Sequence, residues 1–107
     1  MSTATAVLLQ ALGAGLKQVP NLRLETLILF LAVCENEGIG VKELVFICGL
    51  SDSMVSRTVD SLAGPGGLFT VQRHASDGRR RLVTLSQEGA ALRDELSEIL
   101  AQQGDPA

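Results

Sequence analysis

The segment Ser51 to Leu62, SDSMVSRTVDSL, constrains this chain more than any other part of it. Apolar Val55, Val59 and Leu62 recur at helical spacing while Ser53, Ser56, Arg57 and Asp60 fall on the opposite face. One side of such a helix packs inward and the other shows short polar donors and an arginine. A short hairpin follows, carrying Asp77-Gly78-Arg79-Arg80-Arg81 at its turn. A donor-bearing helix suits the base edges of a major groove, and an arginine-rich hairpin suits phosphates or a minor groove. Helix and hairpin together predict a winged helix-turn-helix.

The punctuation around this segment fits that reading. Val41 to Cys48 is the first helix of the pair, with Leu44, Val45 and either Ile47 or Cys48 facing inward. Gly49-Leu50 makes the turn, since glycine permits the left-handed backbone that closes a helix. Ser51 is an N-cap, and Asp52 in the first turn complements the helix dipole. Gly64-Pro65-Gly66-Gly67 stops the recognition helix. Leu68 to Arg73 alternates Phe69 and Val71 against Thr70 and Gln72, and Arg80 to Leu85 puts Val83 and Leu85 on one face. Two strands therefore flank a loop from His74 to Arg79. Upstream, Gly38-Ile39-Gly40 breaks a helix, and Ile39 is placed to supply a very short strand beside the wing.

Three helices surround this core. Val7, Leu8, Leu12, Leu16 and Val19 give an amphipathic helix from about Thr3 to Gln18, ended by Pro20-Asn21. From Leu22 to about Asn36, Leu24, Leu27, Ile28, Leu31 and Cys34 make one stripe, and Leu29, Phe30 and Val33 make nearly a second. A helix apolar on most of its circumference is expected to be buried on both sides, against the helix-turn-helix and against either the terminal helices or another subunit. Ser86 caps a last helix with Glu88 in its first turn and Leu92, Leu96, Ile99 and Leu100 at helical spacing. The expected fold is mainly α with a small β-wing, one winged helix-turn-helix domain over residues 1–107. Its parts are an N-terminal helix over about 1–19, a winged-helix core over 22–85 and a C-terminal helix over 86–103. The terminal helices carry more aliphatic surface than one small domain covers, which predicts a homodimer through them.

Composition removes other classes. At 107 residues the chain buries roughly 60 to 70 % of its unfolded surface, enough for one core. With three Phe and no Trp or Tyr it lacks the stacking platforms that single-strand binders use. The net charge of −3 is unevenly spread: residues 1–50 carry three positive and four negative groups, residues 51–85 five and three, residues 86–107 one and five. The helix and hairpin segment is thus +2 between flanks of −1 and −4, a modest local excess that favours salt-sensitive binding. Cys34 and Cys48 form no metal-ligand spacing and read as buried structural residues. Neither a leader peptide nor a stretch long enough to span a bilayer is evident, so a cytoplasmic protein with no membrane partner is expected. One histidine, no phosphate loop and no metal spacing leave no basis for an enzyme, and Ser51 and Ser86 are caps rather than nucleophiles. No cofactor and no metal are expected.

At these residues the chain resembles the multiple-antibiotic-resistance regulator (MarR) family of winged-helix repressors. The likeness covers about Leu22 to Leu96: Lys42-Glu43-Leu44 at the first helix, LSDSMVSRTVDSL, Gly67-Leu68 before the wing, Asp77 and Arg79 as an Asp-x-Arg wing, and the exit LVTLSQEGAAL. The resemblance implies a homodimer on double-stranded DNA at near-palindromic sites. It places Ser53, Ser56 and Arg57 at the major groove, and Arg79, oriented by Asp77, in the minor groove. Family members usually run longer, with extra terminal helix that walls a small-molecule effector pocket; here one helix at each end must do that work. Gly64-Pro65-Gly66-Gly67 lengthens the approach to the wing, and Met54 stands where a small hydroxyl residue is more usual.

The expected DNA-binding set is Ser51, Ser53, Met54, Ser56, Arg57, Arg73, Asp77, Arg79, Arg80 and Arg81. Blander roles exist for several. Arg57 on a solvated helix face can pair with Asp60 or Ser53, Asp77-Gly78 is a common turn dipeptide, and the arginines after it can guard a ribbon edge against aggregation. The expected function is a sequence-specific transcriptional regulator, a repressor acting by occupancy. The alternative is a winged-helix interaction module or an adaptor in plasmid or phage DNA maintenance.

Overall fold

Five helices and three short strands follow one another in the computed structural model, which describes residues 3–20, 22–76 and 78–103. In order they are α1 (Thr3–Gln18), α2 (Leu24–Glu35), β1 (Ile39–Gly40), α3 (Val41–Cys48), α4 (Asp52–Leu62), β2 (Phe69–Arg73), β3 (Arg81–Leu85) and α5 (Gln87–Gln103). The chain divides into two compact units, residues 23–90 and the segments before 23 and after 90, the second division falling inside α5. No helix among the described residues is long and apolar enough to cross a membrane.

The unit of residues 23–90 is a winged helix-turn-helix. Gly49 closes α3 in the left-handed region at φ 68°, and its N–H donates to Val45 O at 3.1 Å. Ser51 is extended, and its Oγ accepts the Met54 N–H at 3.2 Å, so α4 starts where the sequence placed its cap. The sheet is antiparallel in the order β1-β3-β2. Ile39 pairs with Val83 and Gly40 with Leu82, while β2 pairs with β3 from Phe69↔Leu85 to Arg73↔Arg81. The short strand expected at Ile39 therefore forms. Past its end, the Gly38 N–H donates to Val83 O at 2.8 Å and the Glu37 carboxylate accepts the Leu85 N–H at 3.4 Å. Backbone groups that the two-residue strand cannot reach are satisfied in this way.

Its core is aliphatic with two phenylalanines. Leu29, Phe30 and Val33 of α2, Leu44 of α3, Val55, Val59 and Leu62 of α4, and Leu68, Phe69 and Val83 of the wing are buried. Helix α2 departs from the expectation of burial on both sides. The Leu29, Phe30 and Val33 face is the buried one, while Leu24 and Leu31 of the longer stripe are 68 % and 45 % exposed. With apolar side chains nearly all round, periodicity has no strong direction, and the bulk of Phe30, almost wholly buried, goes where the core has volume to fill. In α3 the inward position left open is taken by Cys48, which is half-buried, whereas Ile47 is exposed.

In the other unit Val7 and Ala14 of α1 and Leu92 and Leu96 of α5 are buried. Leu8, Leu9, Leu12 and Leu16 of α1 and Leu100 of α5 are exposed, so most of the leucine stripe expected to pack α1 lies open.

The join between wing and α5 depends on Gly89. Ser86 donates its N–H to Leu68 O at 2.9 Å and its Oγ–H to Gly67 O at 2.6 Å, and its Oγ accepts the Gly89 N–H at 3.0 Å. This clasp draws the first turn of α5 onto the strand, and a Cβ on Gly89 would overlap the Leu68 carbonyl oxygen. Gly89→Ala raises intrinsic helix propensity by about 1 kcal/mol, yet a backbone oxygen cannot swing aside as a side chain does. We expect a net loss of about 1 to 3 kcal/mol, read as a lower urea midpoint with an unchanged slope.

Candidate nucleic-acid interface

The burial of Val55, Val59 and Leu62 fixes which side of α4 meets solvent. Ser51, Asp52, Ser53, Arg57 and Asp60 are exposed, and Met54 and Ser56 are half-buried. Arg57 folds back along the helix, its Nε–H donating to Ser53 O at 3.3 Å, so its guanidinium lies toward the helix N-terminus. Ser51 Oγ and Ser53 Oγ lie 3.4 Å apart. The first two turns of α4 thus present hydroxyls and a guanidinium together, a donor set able to read base edges or phosphates.

The wing brings its arginines to the same unit in different ways. Arg73, exposed at the end of β2, donates to Gly78 O at 2.5 Å, and the His74 N–H donates to Arg80 O at 2.8 Å, so both bonds tie the loop across its neck. His74 Nδ1 lies 3.2 Å from the Ser76 N–H, which gives the histidine a part in loop structure. Arg79 is exposed. Asp77 lies outside the described residues. Arg80 makes an ion pair with Glu43 of α3. Arg81 donates to Asp60 Oδ1 at 2.7 Å and to Ser56 Oγ at 3.1 Å, both on α4.

Between the first turn of α3, the start of α4 and the wing lies a cleft of about 580 Å³. It is lined by four cations, Lys42, Arg79, Arg80 and Arg81, against two carboxylates, Glu43 and Asp52, with Ser56 and Val41. The balance is basic, as an anionic backbone requires. Lys42, Glu43 and Asp60 are absent from the set expected from sequence. Glu43 sits three residues into α3 and folds back over Gly40, where a Cβ would overlap its carboxylate; a glycine before a helix followed at that distance by glutamate was the one available signal. Nothing local reveals that Asp60 would meet an arginine of the wing.

Among the described residues no group of three or more His, Cys, Asp and Glu could hold a metal ion. Cys34 and Cys48 are half-buried, and burial pushes the Cys48 thiol above its ordinary range, which lowers its thiolate fraction and its reactivity at neutral pH.

No family model and no curated protein matches the chain, but solved structures do. MepR of S. aureus, solved as a complex with DNA, matches with a TM-score of 0.77 at 16 % identity over 95 % of this chain and 82 % of that one. A MarR transcriptional regulator from Methanosarcina mazei matches at 0.68, with 17 % identity over 94 % and 73 %. The PcaV transcriptional regulator of Streptomyces coelicolor, solved with its natural ligand, matches at 0.64, with 24 % identity over 78 % of this chain. The fold is that of the MarR-type regulators. The present chain spans 58 % of the PcaV chain's length, and identities this low establish the MarR-type architecture alone.

In this MarR-type fold α4 is only as well placed as its first turn. Ser51→Ala removes the oxygen that accepts the Met54 N–H and should cost about 1 kcal/mol of stability. Ser51→Asp, which keeps an acceptor at the cap, should recover most of it. Urea denaturation of the two variants beside the parent measures both effects.

Proposed function

We propose that this chain is a double-stranded DNA-binding transcriptional regulator that acts as a homodimer on a near-palindromic operator and represses by occupying it. One observation carries the reading: a helix whose polar face shows Ser53 and Arg57 stands in the same compact unit as an arginine-bearing hairpin, with a basic cleft between them. α4 would enter the major groove with Ser51, Ser53, Met54 and Arg57, and the tip of the wing with Arg79 would follow the backbone into the minor groove. The exposed leucines of α1, with Leu100 of α5, supply the apolar surface a subunit contact needs. The MarR-type fold, found in MepR with DNA, supports the same assignment, and the cytoplasm is where such a regulator meets its operator.

The dimer and the groove assignments make separate forecasts. Sedimentation at tens of micromolar protein should give a dimer, and footprinting should show two half-sites about 34 Å apart, one helical turn; a monomer protecting one isolated half-site contradicts both. Arg57→Ala should remove a contact worth about 1 to 3 kcal/mol and narrow the gap between operator and random duplex. Arg79→Ala should weaken all duplexes alike and lower the salt slope by about one per subunit. Selection of bound fragments from genomic DNA supplies the operator. If the parent protein retards no duplex at low salt, the DNA reading fails and an interaction module takes its place.

A further inference from the structure

We propose that Arg81 is a positioning residue that clamps the wing to the recognition helix, so that its effect on DNA affinity passes through Asp60 and Ser56 rather than through a contact with DNA. The inference rests on the DNA-binding reading for its consequence, though the clamp itself is a property of the unliganded protein.

The geometry is that of a fork across one helical turn. Ser56 and Asp60 stand four residues apart on α4, hence one above the other on the same face. Arg81 Nη1 reaches Asp60 Oδ1 at 2.7 Å and Nη2 reaches Ser56 Oγ at 3.1 Å. A planar guanidinium can make both bonds at once, and a lysine ammonium, a point charge on a flexible stem, cannot match the fork. The Arg81 side chain is 29 % exposed against 62 % for Asp60, so it is the arginine that is covered, with its donors turned to the helix.

Register supplies the reason for the clamp. Arg81 lies directly opposite Arg73 at the loop end of the β2–β3 ribbon, and like charges directly opposite one another destabilise a strand pair. Asp60 offsets that repulsion and, in doing so, attaches the ribbon where it leaves the sheet. Arg80, the next residue, is paired with Glu43 of α3. Two consecutive arginines therefore fasten the neck of the wing loop to both helices of the helix-turn-helix. The loop tip, where Arg79 sits, takes its direction from that neck.

Asp60→Asn distinguishes positioning from contact, because the two accounts predict opposite signs. If Arg81 positions the wing, Asp60→Asn weakens operator binding roughly fivefold or more, although it removes a negative charge beside the phosphates. Arg81→Lys then falls by a similar factor with the salt slope of the parent, and the Arg81→Lys/Asp60→Asn double variant is no weaker than either single one. If Arg81 instead contacts a phosphate, Asp60→Asn binds as tightly as the parent or more so, Arg81→Lys stays near parental affinity, and Arg81→Gln lowers the salt slope by about one per subunit; any of these overturns the proposal. Amide hydrogen exchange without DNA forms the second arm. Wing amides from Gln72 to Leu82 should exchange several-fold faster in Asp60→Asn and in Arg81→Lys, while those of α2 and α3 keep parental rates; parental rates in the wing reject the clamp. Should the parent bind no duplex at all, the regulator reading fails while the exchange arm still decides the clamp. A far-UV spectrum and melting curve for each variant separate loss of the clamp from loss of the fold.

Discussion

The rotation of α4 about its own axis is set by the core, and the interface inherits it. Val55 and Val59 are fully buried and Leu62 nearly so, and each such side chain contributes roughly 1.5 to 3 kcal/mol when removed from water. Exposed polar contacts on the opposite face, such as the bond from Arg57 to Ser53 O, contribute far less. No arrangement of the exposed polar residues can therefore turn the helix; the residues that face outward are those left after the core has been satisfied. Gly49 and the Ser51 cap add the remaining constraint, since they fix where along the axis the helix begins.

Electrostatics divides labour in the same small region. The chain is acidic overall at −3, yet the cleft beside α4 holds four cations against two carboxylates. Two arginines of the wing are held by carboxylates of the protein itself, Arg80 by Glu43 and Arg81 by Asp60. Each pair lowers the net attraction for phosphate and in exchange orders a loop that would otherwise sample many directions. With little positive charge to spare, the proposed DNA binding would depend more on the fit of two rigid arms than on non-specific attraction.

Much of this was legible in the sequence, and the parts that were not share a cause. The α3-turn-α4 unit was readable because Gly49, Ser51 and the Val55/Val59/Leu62 spacing each report a local requirement, and the two wing strands alternate as a half-buried ribbon must. The strand at Ile39 was readable from the glycines around it. The facing of α2 was not: with Leu, Ile, Phe, Val and Cys around its circumference, the choice of Leu29, Phe30 and Val33 over Leu24 and Leu31 is made by the shape of the cavity it fills. The arginines Arg79 to Arg81 announced a basic wing, but strand register and partners distant in sequence decide where Arg80 and Arg81 point. The need for glycine at 89 was not legible either, because it is set by the carbonyl oxygen of Leu68, twenty-one residues away in the chain.

The central position of β3 also bears on how the chain reaches this state. Both of its partners, β1 and β2, precede it, and Ile39 must wait for Val83 across the whole helix-turn-helix. Helices form on local contacts within about a microsecond, whereas a pairing across a long loop must first overcome the entropy of closing it. During synthesis α2, α3 and α4 emerge before the strand that closes the sheet, leaving Phe69 and the edge of β2 without their neighbour until Leu85 has left the ribosome. Closing the sheet is therefore the least local event in the folding of this largely helical unit, and a nascent chain halted within the wing loop would present an unpaired edge as a site for misassociation.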